Sequence, residues 1–149
     1  MHREDGYNNT VDGVMVVSKY TEHAQRLRDD TSLHYNCAQA VLIPFAQEVG
    51  LTEQQLFDLG FNFGGGMKRG AVCGTVTAGL MILGLLGIND VKVLAEYHNA
   101  IKANHDGTLD CADLLRISKS KGIEKKAHCD AMIREVILLL EKIITRNRQ

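Results

Sequence analysis

The chain has 149 residues, 45% of them hydrophobic and 23% charged, with a formal net charge of −1. That length supports one domain with its own core, and the near-zero charge gives no electrostatic case for nucleic acid or an acidic membrane surface. A single proline, no tryptophan and little β-branched alternation argue for helices over sheet.

Residues 1–12 are polar and are expected to form a flexible arm. They contain no apolar run of the secretory type, so a cytoplasmic setting is expected. In a reducing compartment, cysteines serve as thiols, ligands or redox partners rather than permanent staples. The spacing predicts a first helix over Val14 to Arg28, ending at the polar Asp29-Asp30-Thr31-Ser32 segment. A second runs from Asn36 to Val49, kinked at Pro44, which lacks a backbone donor, and closed by Gly50. Thr52-Glu53-Gln54-Gln55 reads as a capping box opening a third helix to about Phe61.

A glycine-rich loop, Gly64 to Gly70, then feeds an uncharged run that predicts a buried central helix over about 72–88. Its length approaches that of a membrane span, but interior glycines and threonines favour burial within the protein. Gly74 and Ala78 would let a neighbouring helix approach closely. Asn89 or Asp90 caps a helix to about Asn104, Asp106-Gly107 turns the chain, and a short helix starts at Asp110-Cys111. Ser118 to Lys126 reads as a polar connection to a last helix over Ala127 to Arg146. The expected fold is therefore all-α, one domain over 1–149, with about six to seven helices around the central one.

The chemistry points to Cys37, Cys73, Cys111 and Cys129. None falls within C-x-x-C distance of another, so neither a thioredoxin motif nor a zinc knuckle is present. Each nevertheless falls where the spacing predicts the first turn of a helix, and each heads an apolar stripe such as Cys129, Ile133, Val136 and Leu140. Helices two apart in a bundle run the same way, so Cys37, Cys73 and Cys111 belong at one end, and the Ser118–Lys126 connection would bring Cys129 back to it. Unpaired backbone N–H groups and the positive end of the helix dipole favour a thiolate there, and Lys68 and Arg69 would add to this by folding over Cys73.

Asn36-Cys37-Ala38-Gln39-Ala40-Val41, Phe63-Gly64-Gly65-Gly66-Met67 with Arg69-Gly70, Cys73-Gly74, Cys111 and Cys129 together resemble the C_GCAxxG_C_C family of bacterial and archaeal four-cysteine proteins. The family's C-G-A-x-x-G pattern reads here Cys73-Gly74-Thr75-Val76-Thr77-Ala78, with Gly79 next. The resemblance implies redox activity through the four cysteines and names no substrate.

Two readings follow. In the first, Cys73 is the nucleophilic thiolate of a thiol–disulfide exchange or redox-sensing protein and Cys37 its nearest resolving partner. Gly64, Gly65, Gly66, Lys68, Arg69 and Gly70 then form a loop over the site. The partner would be a redox protein or a small thiol or disulfide. In the second, Cys37, Cys73, Cys111 and Cys129 ligate zinc or an iron–sulfur cluster in an electron-transfer module. His34 and His128 are candidate bases or further ligands, with a surface or capping role as the simpler account. Asp110 beside Cys111 argues against that thiol as attacker. Gly65 to Gly70 imitates a phosphate loop, but Ala71 and Val72 stand where Lys and Ser or Thr are required. Ile137, Leu139 and Ile144 widen the apolar face of the last helix, which suggests a homodimer.

Overall fold

A computed structural model describes residues 10, 11 and 14–148, so most of the expected arm over 1–12 lies outside the described residues. Thr10–Val11 and Val14–Met15 pair as a two-residue antiparallel ladder (β1 and β2). The first helix (α1, Lys19–Asp29) therefore starts five residues later than the apolar spacing suggests. Ser18 sets its start: its Oγ accepts from the Thr21 amide at 3.1 Å, and the Ser18 amide donates back to Thr21 Oγ1 at 2.8 Å.

The second helix is broken as Pro44 requires. Cys37–Leu42 (α2) passes through a 3-10 turn at Ile43–Phe45 into Ala46–Val49 (α3). Gly50 caps it in the left-handed region at φ 74°. Thr52 and Gln55 close both hydrogen bonds of the capping box on Glu53–Gly60 (α4). The central helix is Gly74–Leu85 (α5), followed by Val91–Ala103 (α6), Cys111–Ser120 (α7) and Lys125–Asn147 (α8).

The core forms where α5 packs between α2 and α8, with Val41, Leu42, Val76, Ile82, Leu83, Val136 and Leu140 fully buried. Helix α5 carries no charge and is buried along most of its length, with Gly84 and Leu85 exposed in its last turn. No helix among the described residues is long and apolar enough to cross a membrane. Ile137 and Ile144 are buried in this chain's own core, and Leu139 packs against it, so the wide stripe of α8 is covered intramolecularly.

One connection differs from expectation. Helix α7 continues through Ser120 and α8 begins at Lys125, leaving a four-residue turn instead of a long polar link. Ile123 N donates to Ser118 O at 3.1 Å, Ser118 Oγ donates to Ile123 O at 3.3 Å, and Gly122 supplies the left-handed φ of 76°. Cys129 consequently sits in the second turn of α8, not the first.

Candidate functional site: a four-thiol cavity

Two capping arrangements place the first pair of thiols. Asn36 caps α2, its Oδ1 accepting from the Gln39 amide and its own amide donating to Gln39 Oε1, both at 2.8 Å. Asn36 Nδ2 also donates to Gly60 O and Phe61 O, and Gln39 Nε2 to Phe57 O. The start of α2 is thereby tied to the end of α4, with Cys37 as its first residue. Cys73 stands at the N-cap of α5, where its carbonyl receives the Val76 and Thr77 amides.

Gly74 lets these two helix starts touch. A Cβ at Gly74 would lie 2.6 Å from Phe63 O, 2.8 Å from Cys37 Sγ and 3.2 Å from Ala38 Cβ. The glycine after Cys73 is thus a steric requirement of the thiol pair. Gly74→Ala is expected to push Cys37 away from Cys73 and to destabilise the fold by about 2 kcal/mol. Thermal melting and thiol titration together check this, and an unchanged Cys37 titration would contradict the packing argument.

Cys111 is positioned by backbone pairing. Val72 and Asp110 form an antiparallel bridge, flanked by Cys73 N to Leu109 O at 2.8 Å and Cys111 N to Ala71 O at 2.7 Å. Behind it, Gly65, Gly66, Met67 and Lys68 all have φ between 58° and 63°, one turn of left-handed helix closed by Ala71 N to Gly66 O at 2.9 Å. Holding Met67 and Lys68 there costs about 1–2 kcal/mol per residue. Gly66 is obligatory, since a Cβ would meet Ala71 O at 2.3 Å and Cys111 Cβ at 2.8 Å.

All four cysteines line one cavity of about 660 Å³, and all four are unbridged. Cys37 (9% exposed) and Cys73 (6%) lie at its buried end, while Cys111 and Cys129 are half-buried. Leu114, Leu115 and Met132 supply apolar wall; Arg28, His34, Lys125, Lys126 and His128 bring polar groups. Of the glycine loop, Gly65 reaches this lining. Gly64 and Gly70 pack against Asn36 and Ala112, the Lys68 ammonium lies 4.7 Å from the centre of the Phe61 ring, and neither Lys68 nor Arg69 lines the cavity.

The inner pair shares its protons unequally. The neighbouring Cys73 thiol, opposed by burial, holds Cys37 below its ordinary pKa with help from Arg28. The same neighbour and burial push Cys73 well above its own ordinary pKa, although Thr75 Oγ1, 3.1 Å from Cys73 Sγ, pulls the other way. Burial also raises Cys111, and pushes Cys129 up to about 11, while the Lys125 charge partly offsets both. Among the described residues, no three or more His, Cys, Asp or Glu side chains are grouped as metal ligands, so the four-thiolate centre considered from sequence is not preassembled.

Some participants carried no local signal. Arg28 Nε donates to Asp130 Oδ1 at 2.7 Å and its Nη1 to Tyr35 O at 2.8 Å, while Lys126 Nζ reaches Asp130 Oδ2 at 2.8 Å. This network ties α1 and the segment before α2 to α8 across a separation of 102 residues. His34 is exposed at the rim, but His128 is buried, which overturns the surface reading for that residue.

Burial, then the neighbouring His105, lower the His128 pKa from 6.5 to about 4. Its folded pKa is below its unfolded one, so its contribution to stability is intact above about pH 6.5 and lost as pH falls toward 4. Allowing for partial screening, about 2 kcal/mol should disappear over that window. Urea unfolding at pH 7 and pH 4.5 measures the loss, and His128→Gln should remove most of the slope.

A family model described as "Putative redox-active protein (C_GCAxxG_C_C)" matches residues 35–143, from the residue before Asn36 to within the last turns of α8. Neither the curated proteins nor the solved structures contain a match to the chain.

Proposed function

The chain belongs to the C_GCAxxG_C_C family, and from that premise we propose that it is a thiol–disulfide exchange protein whose working dithiol is Cys37 and Cys73. The observation that carries this reading is the close packing of Cys37 Sγ against Gly74, the residue after Cys73, at the buried end of an open cavity that both thiols line. Cys37 is the nucleophile, because it is the thiol of the pair held below its ordinary pKa, by the neighbouring Cys73 and by Arg28, and it opens helix α2. This exchanges the roles that the sequence suggested for the two residues. Of the two cations expected to activate Cys73, the Lys68 ammonium faces Phe61, and neither Lys68 nor Arg69 lines the cavity.

The Cys37 thiolate attacks one sulfur of a substrate disulfide, forms a mixed disulfide and expels a thiolate that takes up a proton. Cys73 then attacks the Cys37 sulfur, releasing the second substrate thiol and leaving a Cys37–Cys73 disulfide. The substrate is reduced by two electrons, and an external dithiol restores the pair. The substrate is a disulfide small enough, or on an exposed enough segment, to enter a cavity of about 660 Å³.

The test uses 2-hydroxyethyl disulfide as the probe. Cys73→Ser should accumulate a mixed disulfide on Cys37, found by intact mass and peptide mapping, because the resolving thiol is gone. Cys37→Ser should accumulate none on Cys73. Trapping on Cys73 and not on Cys37 would restore the opposite assignment, and trapping on neither would end the exchange reading.

A further inference from the structure

We infer that Cys111 and Cys129 are a second, outer dithiol that accepts the disulfide formed by Cys37 and Cys73 and carries it to the mouth of the same cavity. This rests on the reading of Cys37 and Cys73 as the exchanging pair.

The four thiols form two tiers. One cavity receives all of them, with the buried Cys37 and Cys73 at its inner end and the half-buried Cys111 and Cys129 toward solvent. A disulfide at 6–9% exposure is poorly placed to meet a second macromolecule. An outer thiol beside it is well placed to take that disulfide over.

The backbone supplies the route. In the Val72–Asp110 bridge, Cys73 stands opposite Leu109 and Cys111 opposite Ala71. Cys73 and Cys111 are therefore diagonal partners on one face of an antiparallel pair, where Cα spacing is about 7–8 Å. Disulfide formation requires about 7 Å or less, so a small shift of the start of α7 suffices. Gly66, with no Cβ, lets the left-handed turn pack directly against Cys111 Cβ at the start of α7. The Lys125 charge acts on both Cys111 and Cys129, favouring the thiolates that transfer needs.

The transfer conserves electrons without a further reagent. The Cys111 thiolate attacks Cys73 Sγ of the inner disulfide, and Cys37 leaves as a thiolate. The Cys129 thiolate attacks Cys111 Sγ of the resulting Cys73–Cys111 disulfide, and Cys73 leaves and takes up a proton. The inner dithiol is regenerated, the outer disulfide is formed, and the two protons lost by Cys111 and Cys129 pass to Cys73 and solvent. An external dithiol then reduces the outer disulfide.

The experiment treats the fully reduced chain, under anaerobic conditions, with one equivalent of 2-hydroxyethyl disulfide. Samples are acid-quenched over time, alkylated and peptide-mapped. A Cys37–Cys73 disulfide should appear first and decay into Cys111–Cys129 at a matching rate. Cys111→Ser should prolong the inner disulfide at least tenfold, and Cys129→Ser should accumulate the Cys73–Cys111 species, which a merely structural role for Cys129 would not produce. Both positions are half-buried, and circular dichroism confirms that each variant is folded. A stable inner disulfide that never transfers overturns the relay and leaves the exchange reading intact, as does outer oxidation at an undiminished rate in Cys73→Ser. Absence of any Cys37–Cys73 disulfide overturns both.

Discussion

Cys37→Ser is expected to lower the rate of disulfide reduction by on the order of 10³-fold or more, because the attacking atom is removed and its neighbour is a poor substitute. Cys73 is buried and its pKa is raised, so it cannot take over the first attack near neutrality. Cys73→Ser should stop turnover to a similar extent at a later step, after the first thiol is released. A single-turnover assay that counts released thiol distinguishes them: about one equivalent from Cys73→Ser and essentially none from Cys37→Ser. Serine at either position keeps the size and a hydroxyl donor, so the fold should survive both changes. Equal burst release from the two variants would show that neither thiol has the role assigned to it.

Gly79→Ala should produce the largest loss of stability of any single methyl added to α5. An ideal Cβ there lies 2.0 Å from Tyr97 Oη and 2.8 Å from Tyr97 Cζ. Tyr97 is fully buried in α6, and its hydroxyl donates to Val76 O at 2.8 Å, so the ring cannot swing away to solvent. Overpacking of about 1–3 kcal/mol and loss of a buried hydrogen bond worth about 1–3 kcal/mol together predict roughly 3–5 kcal/mol. For a chain of this size that is a fall in Tm of roughly 10–15 °C. Tyr97→Phe in the Gly79→Ala background removes the atom nearest the new methyl and should recover part of the loss. A Tm within about 2 °C of the unchanged protein would mean that α5 and α6 are not packed this closely.

The contrast between these sites explains what the sequence could convey. Local signals were dependable: the Thr52 box, the Gly50 cap and the break at Pro44 each involve groups a few residues apart. The apolar run after Cys73 identified a covered helix, and the small residue at Gly74 anticipated a close helix contact, here with the start of α2. The helical stripes placed all four cysteines inward, and one cavity receives them.

What stayed hidden depends on partners distant in sequence or on backbone shape. Nothing near Arg28 announces Asp130, and nothing in Val72 announces Asp110. The left-handed turn from Gly65 to Lys68 places two ordinary residues at positive φ, against their intrinsic preference, so the loop reads from composition as merely flexible. Cys129 reads as a first-turn residue because Lys125 and Lys126 look like linker residues, yet they open α8. The proton distribution in the thiol pair was not accessible either. Helix-start arguments apply equally to Cys37 and Cys73, and only their folded surroundings, which lower Cys37 and raise Cys73, separate them.

The central claim is that Cys37 carries the thiolate of the pair and Cys73 keeps its proton. Thiolate absorbance near 240 nm, followed from pH 5 to 10 on the reduced protein, tests this directly. The wild-type chain should show one thiolate forming below the ordinary cysteine range, while Cys129, raised to about 11, stays largely protonated over this range. In Cys37→Ser that early step should vanish, and in Cys73→Ala, which removes the neighbouring thiol, it should move upward. An early step that survives Cys37→Ser and disappears in Cys73→Ala would contradict the account and place the thiolate on Cys73.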